Sequence, residues 1–390
     1  MHEHDDKHIG ARVRGVRKRR GLSQQELADA SGVSVSLIRK LEQGEVPGTR
    51  LETAHRLARA MRVPTSQLIR CDAAAPEPVV EDWRPLQQAI ESPPVESAEE
   101  PSLQGALGTL PALRAAYFGN HLGDVSALAV PLLREAETLG DDTEARALRA
   151  HLLQIAGSVL TQVHQYDAAE TALSRALDTS TDRLRAASVI TTWTWLLMRQ
   201  GRLEESRQLA VGWADDMEPR VSRATAEDLA AWGWLLLQAS AASLRDNRQG
   251  EAEDTMRLAR SVSVLTGREL PRGESRLATW GPVTVAYKKA ERGIVLDRPD
   301  EVLETAARLE TVGRTTSTEF FRHRLDVARA HTMLRQYGEA VDVLADVHEK
   351  VPEWLAQQRA ARDVMGDVIA RRRTLTPRMR SLADAIGVPM

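Results

Sequence analysis

The sequence predicts an all-α protein: five short helices near the N-terminus, linked to a long α-solenoid of helical hairpins. Three observations carry this. From about residue 102 onward, Ala, Leu, Arg and Glu dominate amphipathic runs, and the strict alternation of a half-buried strand is absent. Along the same stretch recurs a unit made of an apolar helix, a turn and a second helix rich in Ala and Glu. Residues 8–70 are punctuated by capping boxes and glycine stops at the spacing of short helices.

Taken in order, the first helix runs from about Ile9 to Arg20 and is stopped by Gly21. In "SQQE", Ser23 is an N-cap with Glu26 three residues later, so a second helix opens there and ends near Ser31 and Gly32. A third spans Ser34 to Gln43, and Gly44 closes it from just beyond its end. "TRLE" pairs Thr49 with Glu52 to open a fourth helix through Met61, and Pro64 begins a short last one. Helix, three-residue turn with Gly32, helix is a geometry that lets the second helix project into a major groove.

Residues 71–101 hold six prolines and eight acidic groups, too little apolar material to fold alone, and read as a linker. Within it "WRPLQQAI" sets Trp83, Leu86 and Ile90 at helical spacing, which suits a short docked helix. Beyond it, the second helices of the repeated unit open at "GDVSALAVPLL", "YDAAETALSRAL", "LEESRQLAVGW", "QGEAEDTMRLA", "PDEVLETAARL" and "YGEAVDVLADV", with spacings of 43, 37, 46, 50 and 38 residues. Such hairpins stack because none covers its apolar face alone. The predicted division is a disordered tail at 1–7, a helical domain at 8–70, a linker at 71–101 and a repeat domain at 102–390.

Composition narrows the function classes. The 390 residues, 42% of them hydrophobic, are ample for substantial cores. A single cysteine, Cys71, excludes an internal disulfide framework and fits a reducing cytoplasm. "MHEHDDKHIG" has no apolar signal-peptide core, and no window approaches the roughly eighteen apolar residues of a membrane span. A soluble cytoplasmic chain is expected. The net charge of −3 divides into +6 over residues 1–70, −7 over 71–101 and −2 over the rest. Basic charge gathered at one end points to a polyanionic partner, with a merely solvated basic surface as the alternative. No Gly-rich phosphate loop, Gly-x-Ser-x-Gly elbow or paired-cysteine motif occurs, so neither an enzyme nor a cofactor is expected. His2, Glu3, His4, Asp5, Asp6 and His8 are metal-ligand types, but a terminal tail lacks a framework to fix a coordination geometry, and no metal site is expected.

The third helix frames the functional question. Ser34, Ile38 and Leu41 line one side of it, while Ser36, Arg39, Lys40 and Gln43 line the other. Small and basic groups facing outward suit the floor of a nucleic-acid groove and equally suit solvent. At "LSQQELADASGVSVSLIRKLEQG" the chain resembles the phage-repressor type of helix-turn-helix in the xenobiotic-response-element family of bacterial regulators, a likeness covering residues 8–70. The rest is similar to tetratricopeptide repeats, with "YDAAETAL" and "YGEAVDVL" carrying that family's tyrosine, acidic and alanine positions. With "WRPLQQAI" and "WGPVTVAY", the whole resembles actinobacterial regulators that join the two modules.

The resemblance implies roles for particular residues. It puts Gln24 on a DNA phosphate, with Ser23 and Arg50 beside the backbone and Arg50 able to enter the minor groove. Val35, Ser36 and Lys40 match the base-reading positions; Arg39, Gln43 and the helix-opening Ser34 complete that DNA-facing set. Arg17 and Glu42 match a buried ion pair between the first and third helices. In the repeats, "WTWLL" at 193–197 and "WGWLL" at 232–236 are the same fragment but for one residue. Counting by the tetratricopeptide pattern places Trp193 between helices and brings Trp195, Trp234, His151, Gln154, Ser158, Arg199, Tyr287, Lys288 and Arg322 to the concave surface. Those groups could hold a small amphipathic or anionic molecule or a peptide backbone, or the tryptophans could simply fill core. The expected protein is a homodimeric regulator, associated with the nucleoid, that binds an inverted-repeat operator in double-stranded DNA and senses a small-molecule or peptide effector. The alternative is a DNA-bound adaptor whose repeats recruit a partner protein without a small ligand.

Overall fold

The computed structural model describes residues 9–46, 49, 51–68, 83–91, 102–309, 317–372 and 374–389. The N-terminal tail, Arg50 and Cys71 lie outside the described residues. Twenty α-helices are found among those described, and the one β feature there is an isolated bridge between Leu270 and Trp280. The chain is all-α, with an N-terminal helix-turn-helix unit and a helical-repeat region.

Four helices build the first unit: α1 (Ile9–Arg19), α2 (Gln24–Ser31), α3 (Val35–Glu42) and α4 (Leu51–Met61). The fifth expected helix is a single 3-10 turn, Thr65–Gln67, that follows Pro64. Ser23 and Glu26 make both bonds of a capping box, and Gly32, at φ +68°, ends α2 in the left-handed region that glycine tolerates best. Val13, Leu27, Ile38, Leu41 and Leu57 are fully buried at the centre.

Residues inside the expected linker fold as α5 (Arg84–Glu91), and Trp83, Leu86 and Ile90 are buried in the core of the first hairpins. Six hairpins follow: α6 (Leu103–Gly119) with α7 (Leu122–Thr138), α8 (Thr143–Gln162) with α9 (Tyr166–Thr179), α10 (Arg183–Gln200) with α11 (Leu203–Met217), α12 (Ala226–Arg245) with α13 (Gln249–Thr266), α14 (Pro282–Val295) with α15 (Pro299–Leu309), and α16 (Ser317–Met333) with α17 (Tyr337–Lys350). Helices α18 (Pro352–Gln357), α19 (Arg359–Arg371) and α20 (Pro377–Ala385) cover the end. The repeats vary in length, but their turns share one device. Asn120, His164, Gly201, Asn247, Asp297 and Arg335 all have positive φ, each two residues before the second helix of its hairpin. Asn, Asp and Gly enter that region cheaply; His164 and Arg335 do so at roughly 1 kcal/mol each.

The solenoid curls until its ends meet. Trp354 Nε1 donates to Gln162 Oε1 at 2.8 Å, and Thr318 Oγ1 donates to Asn120 Oδ1 at 2.8 Å, so α16 and α18 lean on the first hairpins. The segment between α13 and α14 accounts for the longest spacing. It is pinned by the Leu270–Trp280 bridge and by Trp280, fully buried over Gly233, where a methyl group would overlap the indole. From there Arg272 reaches across to lie 3.7 Å from the Phe118 ring centroid.

Candidate nucleic-acid interface and inner pocket

In α1 and α3, Arg17 and Glu42 are buried and joined at 2.6 and 2.7 Å, a bidentate pair. Arg17 also donates to the Leu22 carbonyl at 2.7 Å, and Gln24 Nε2 donates to Glu42 Oε2 at 2.9 Å. Burial alone would raise the Glu42 carboxyl, but the bonds from Arg17 and Gln24 outweigh it and hold it below its usual value. This pair fixes α3 against α1.

With α3 so held, Ser36, Arg39, Lys40 and Gln43 are exposed on its outer face. Ser34 caps α3, accepting from Leu37 N at 3.3 Å, and Val35 is half-buried against the domain core. Ser23 is exposed, its hydroxyl accepting from Glu26 N at 3.1 Å. Gln24 is half-buried, with its amide turned to Glu42 rather than outward. Lys18, Arg19 and Arg20 add exposed positive charge at the end of α1.

The opposite side of this unit, α4 and the turn after it, packs on the solenoid. Thr65 N donates to Asp246 O at 3.4 Å, Asn247 Nδ2 to Val63 O at 3.2 Å, and His55 Nδ1 lies 2.8 Å from Arg245 O. Arg59 pairs with Asp297 at 2.8 Å, Arg329 pairs with Glu52, and Leu51 joins a small apolar cluster with Met198, Leu203 and Ala242. Burial lowers the His55 imidazole, keeping it neutral there. The hairpin turns that carry Asn247 and Asp297 touch this unit, and Met198 and Leu203 bring it against the one that carries Gly201.

Inside the curl, a half-open pocket with a cavity volume of about 80 Å³ is lined by Ser158, Trp195, Trp234, Lys288 and Arg322. These five are among the nine concave residues named from sequence. The other four stand outside its wall. His151 is buried and accepts from Arg114 Nη1 at 2.9 Å; Gln154 donates to Ser188 at 2.8 Å and to Thr192 at 3.1 Å. Arg199 sits behind Trp195, 6.0 Å from its ring, and Tyr287 is buried in a stack on His323. Trp193 packs half-buried between two apolar clusters.

Further lining comes from Tyr117, Phe118, Thr191, Thr192, Gln238, Leu277, Ala278, Thr318 and Glu319, which sequence reasoning did not single out. Thr191 and Gln238 stand four residues from Trp195 and Trp234 in their helices, so the i, i+4 rule could have found them. Leu277 and Ala278 belong to the segment before α14, which carries no periodic signal. Trp234 Nε1 donates to Thr279 O at 2.8 Å, tying that segment down as a roof. Lys288 bonds Glu291 at 3.0 Å, and Glu291 also pairs with Arg245. Burial and the Glu291 charge push nearby Asp326 well above the usual carboxylate range.

Among the described residues no group of metal-ligating side chains occurs, and no helix is long and apolar enough to cross a membrane. Residues 13–68 match the helix-turn-helix family model. No curated protein matches the chain. Among solved structures, Bacillus thuringiensis PlcR, crystallised with the peptide PapR7 and DNA, superposes with a TM-score of 0.36 at 13% identity, over 79% of this chain and 100% of that one. So loose a superposition carries no inference about ligand or partner. What the domain match does carry is specific: this chain has an N-terminal helix-turn-helix domain, which supports a DNA-binding regulator of transcription.

Proposed function

We propose that this regulator binds an inverted-repeat operator as a homodimer and that its repeat domain, residues 102–390, senses a small-molecule or peptide signal. The observation behind the sensing reading is the short distance, in contacts, from pocket to DNA-binding domain. Trp195 and Lys288 line the pocket. Trp195 packs with the Met198 cluster that Leu51 enters, and Lys288 reaches Glu291, Arg245 and, through the Arg245 carbonyl, His55. A molecule that moves either pocket residue would therefore move what holds α4.

On the DNA, Lys40 with Arg39, Ser36 and Gln43 supplies the outward face for base edges, with Val35 available for a thymine methyl. Ser23 and Arg50 serve the phosphate backbone. Gln24 joins them once its amide leaves Glu42, or serves only to hold Glu42. One such domain covers half of a typical operator, and two-fold symmetry requires half-sites about one helical turn apart or a multiple of it. Footprinting that shows one unrepeated half-site, with a monomer at micromolar concentration, would remove the dimer from this reading.

The sensing reading is tested by native mass spectrometry of protein purified from its own host, with operator affinity measured before and after unfolding and refolding. A retained compound whose removal changes operator affinity is expected. A bare protein with unchanged affinity would favour the adaptor reading instead.

A further inference from the structure

Around Trp195 the charges do not balance. Arg322 lies 4.2 Å from its ring centroid and Arg199 6.0 Å, and among the described residues the carboxylate paired with Arg322 is Glu319. Glu319 stands 3.5 Å from Arg322 and 3.5 Å from Lys288, long contacts shared between two cations. Arg199 has only neutral partners among the described residues: it donates to His164 Nε2 at 3.3 Å and bonds Tyr166, while its buried Nε has none. Burial lowers the Arg199 guanidinium, and the charges of Arg322 and Arg359 push the same way. Lys288 is answered by Glu291 at 3.0 Å, so the excess charge lies with Arg322, which has only a share of Glu319, and with Arg199 behind the wall, where uncompensated buried charge is expensive.

The remaining surface mixes apolar groups with the hydroxyls and amide of Ser158, Thr191, Thr192, Thr318 and Gln238. Trp195, Trp234, Tyr117, Phe118 and Leu277 supply its apolar part, with Arg322 over the Trp195 ring and Arg272 over the Phe118 ring. We propose that this pocket takes an amphipathic ligand with a single anionic head, a carboxylate, phosphate or sulfonate, held by Arg322 with Arg199 behind it, and a planar or aliphatic body held among the aromatic rings. An anion there completes the guanidinium bonding that Glu319 only half supplies, while a neutral ligand of the same shape leaves the excess charge in place. The inference rests on the sensing reading above and specifies what that site selects.

Two dyes of one shape test it: anilinonaphthalene sulfonate and its uncharged counterpart N-phenylnaphthylamine, titrated by fluorescence into the full chain. The sulfonate dye is expected to bind at least about tenfold more tightly than the neutral one, with the advantage shrinking as salt rises. Arg322→Gln should remove the advantage and leave neutral-dye affinity unchanged, whereas Arg322→Lys should keep most of it. Equal binding of the two dyes to the native chain overturns the proposal without any variant, and so does an advantage that survives Arg322→Gln in a protein with a native melting curve. Operator affinity measured at saturating sulfonate dye separates the two claims. A tenfold dye preference with unmoved operator affinity supports the ligand class and counts against the sensing reading alone.

Discussion

Arg17 and Arg322 both sit beside a glutamate, yet the two sites treat the guanidinium differently. Arg17 gives Glu42 two bonds at 2.6 and 2.7 Å and Leu22 a third at 2.7 Å, so its charge is answered within the domain. Arg322 touches Glu319 at 3.5 Å, shares that carboxylate with Lys288 and lays its face on Trp195. A pair whose donors are all used is architecture. A guanidinium whose donors are half used, at the wall of a pocket, is available to something else. The same contrast separates the two working faces, since Lys18, Arg39 and Lys40 are exposed to solvent while Lys288 and Arg322 line the inner pocket.

The comparison breaks most readily at Glu42. Removing it strands the buried Arg17 charge and frees Gln24, a loss of about 3–5 kcal/mol. Glu42→Ala should melt residues 9–68 well below the temperature at which the repeats lose helix. A variant whose N-terminal unit melts with wild type would show that the pair is not architecture. Arg322→Ala, by contrast, should leave melting nearly unchanged.

Acid should separate the regions by pH. Burial, aided by neighbouring arginines, lowers His151 to about 3 and His323 to about 4, from an ordinary histidine value near 6.5. Folding keeps them neutral, so their contribution is complete above about pH 6.5 and is lost as pH falls from there towards 4. Each loses about 1.4 kcal/mol per pH unit in that window, or about 3 kcal/mol for the two at pH 5.5. His55, lowered in the same direction, adds undocking of α4. Glu42 is lowered too, but as a carboxylate it stabilises above about pH 4.3 and fails only below. Hydrogen exchange at pH 7.5 and 5.5 should therefore show protection falling in α8 and α16 while α1 and α3 keep theirs. Equal loss in both regions would sink the distinction.

How much of this was legible in the sequence follows the same division. The N-terminal unit is governed by local rules, so Ser23, Glu26, Gly32 and Gly44 announced its helices, and the match of Arg17 to Glu42 came through a likeness specific to that stretch. The repeats were legible as a pattern, and all six second helices begin at or within one residue of where their openings place them. Register within the curl was not. Whether Gln154 faces the pocket or is tied to Ser188 and Thr192 depends on neighbouring helices far apart in sequence, as does the reach of Arg272 to Phe118. The docking of α4 likewise had no local signature, since Asn247 and Asp297 read only as turn residues.

On the exposed face of α3 the effects should be moderate. Lys40→Ala should lose about 1–3 kcal/mol of operator binding and flatten preference at one base position, whereas Lys18→Ala should weaken every sequence alike and lower the salt slope. Competition binding with single-base operator variants checks both. A uniform loss with Lys40→Ala would make that residue a phosphate contact and leave base reading to Arg39, Ser36 and Gln43.

The smallest effect belongs to the seam between the two regions. Arg59 and Asp297 pair at 2.8 Å with side chains 33% and 36% exposed, a half-solvated bridge of about 0.2–1 kcal/mol. Asp297 also holds the left-handed position of its turn at φ +58°, so Asp297→Ala would disturb the turn as well as the charge. Asp297→Asn removes only the charge, because Asn tolerates the same backbone. If docking through α4 restrains the DNA-binding domain, Asp297→Asn and Arg59→Ala should each shift operator affinity by less than about fivefold in the same direction, and the double variant should show no more than either alone. Additive or opposite shifts would mean that the two residues act separately and that this seam does not carry the signal.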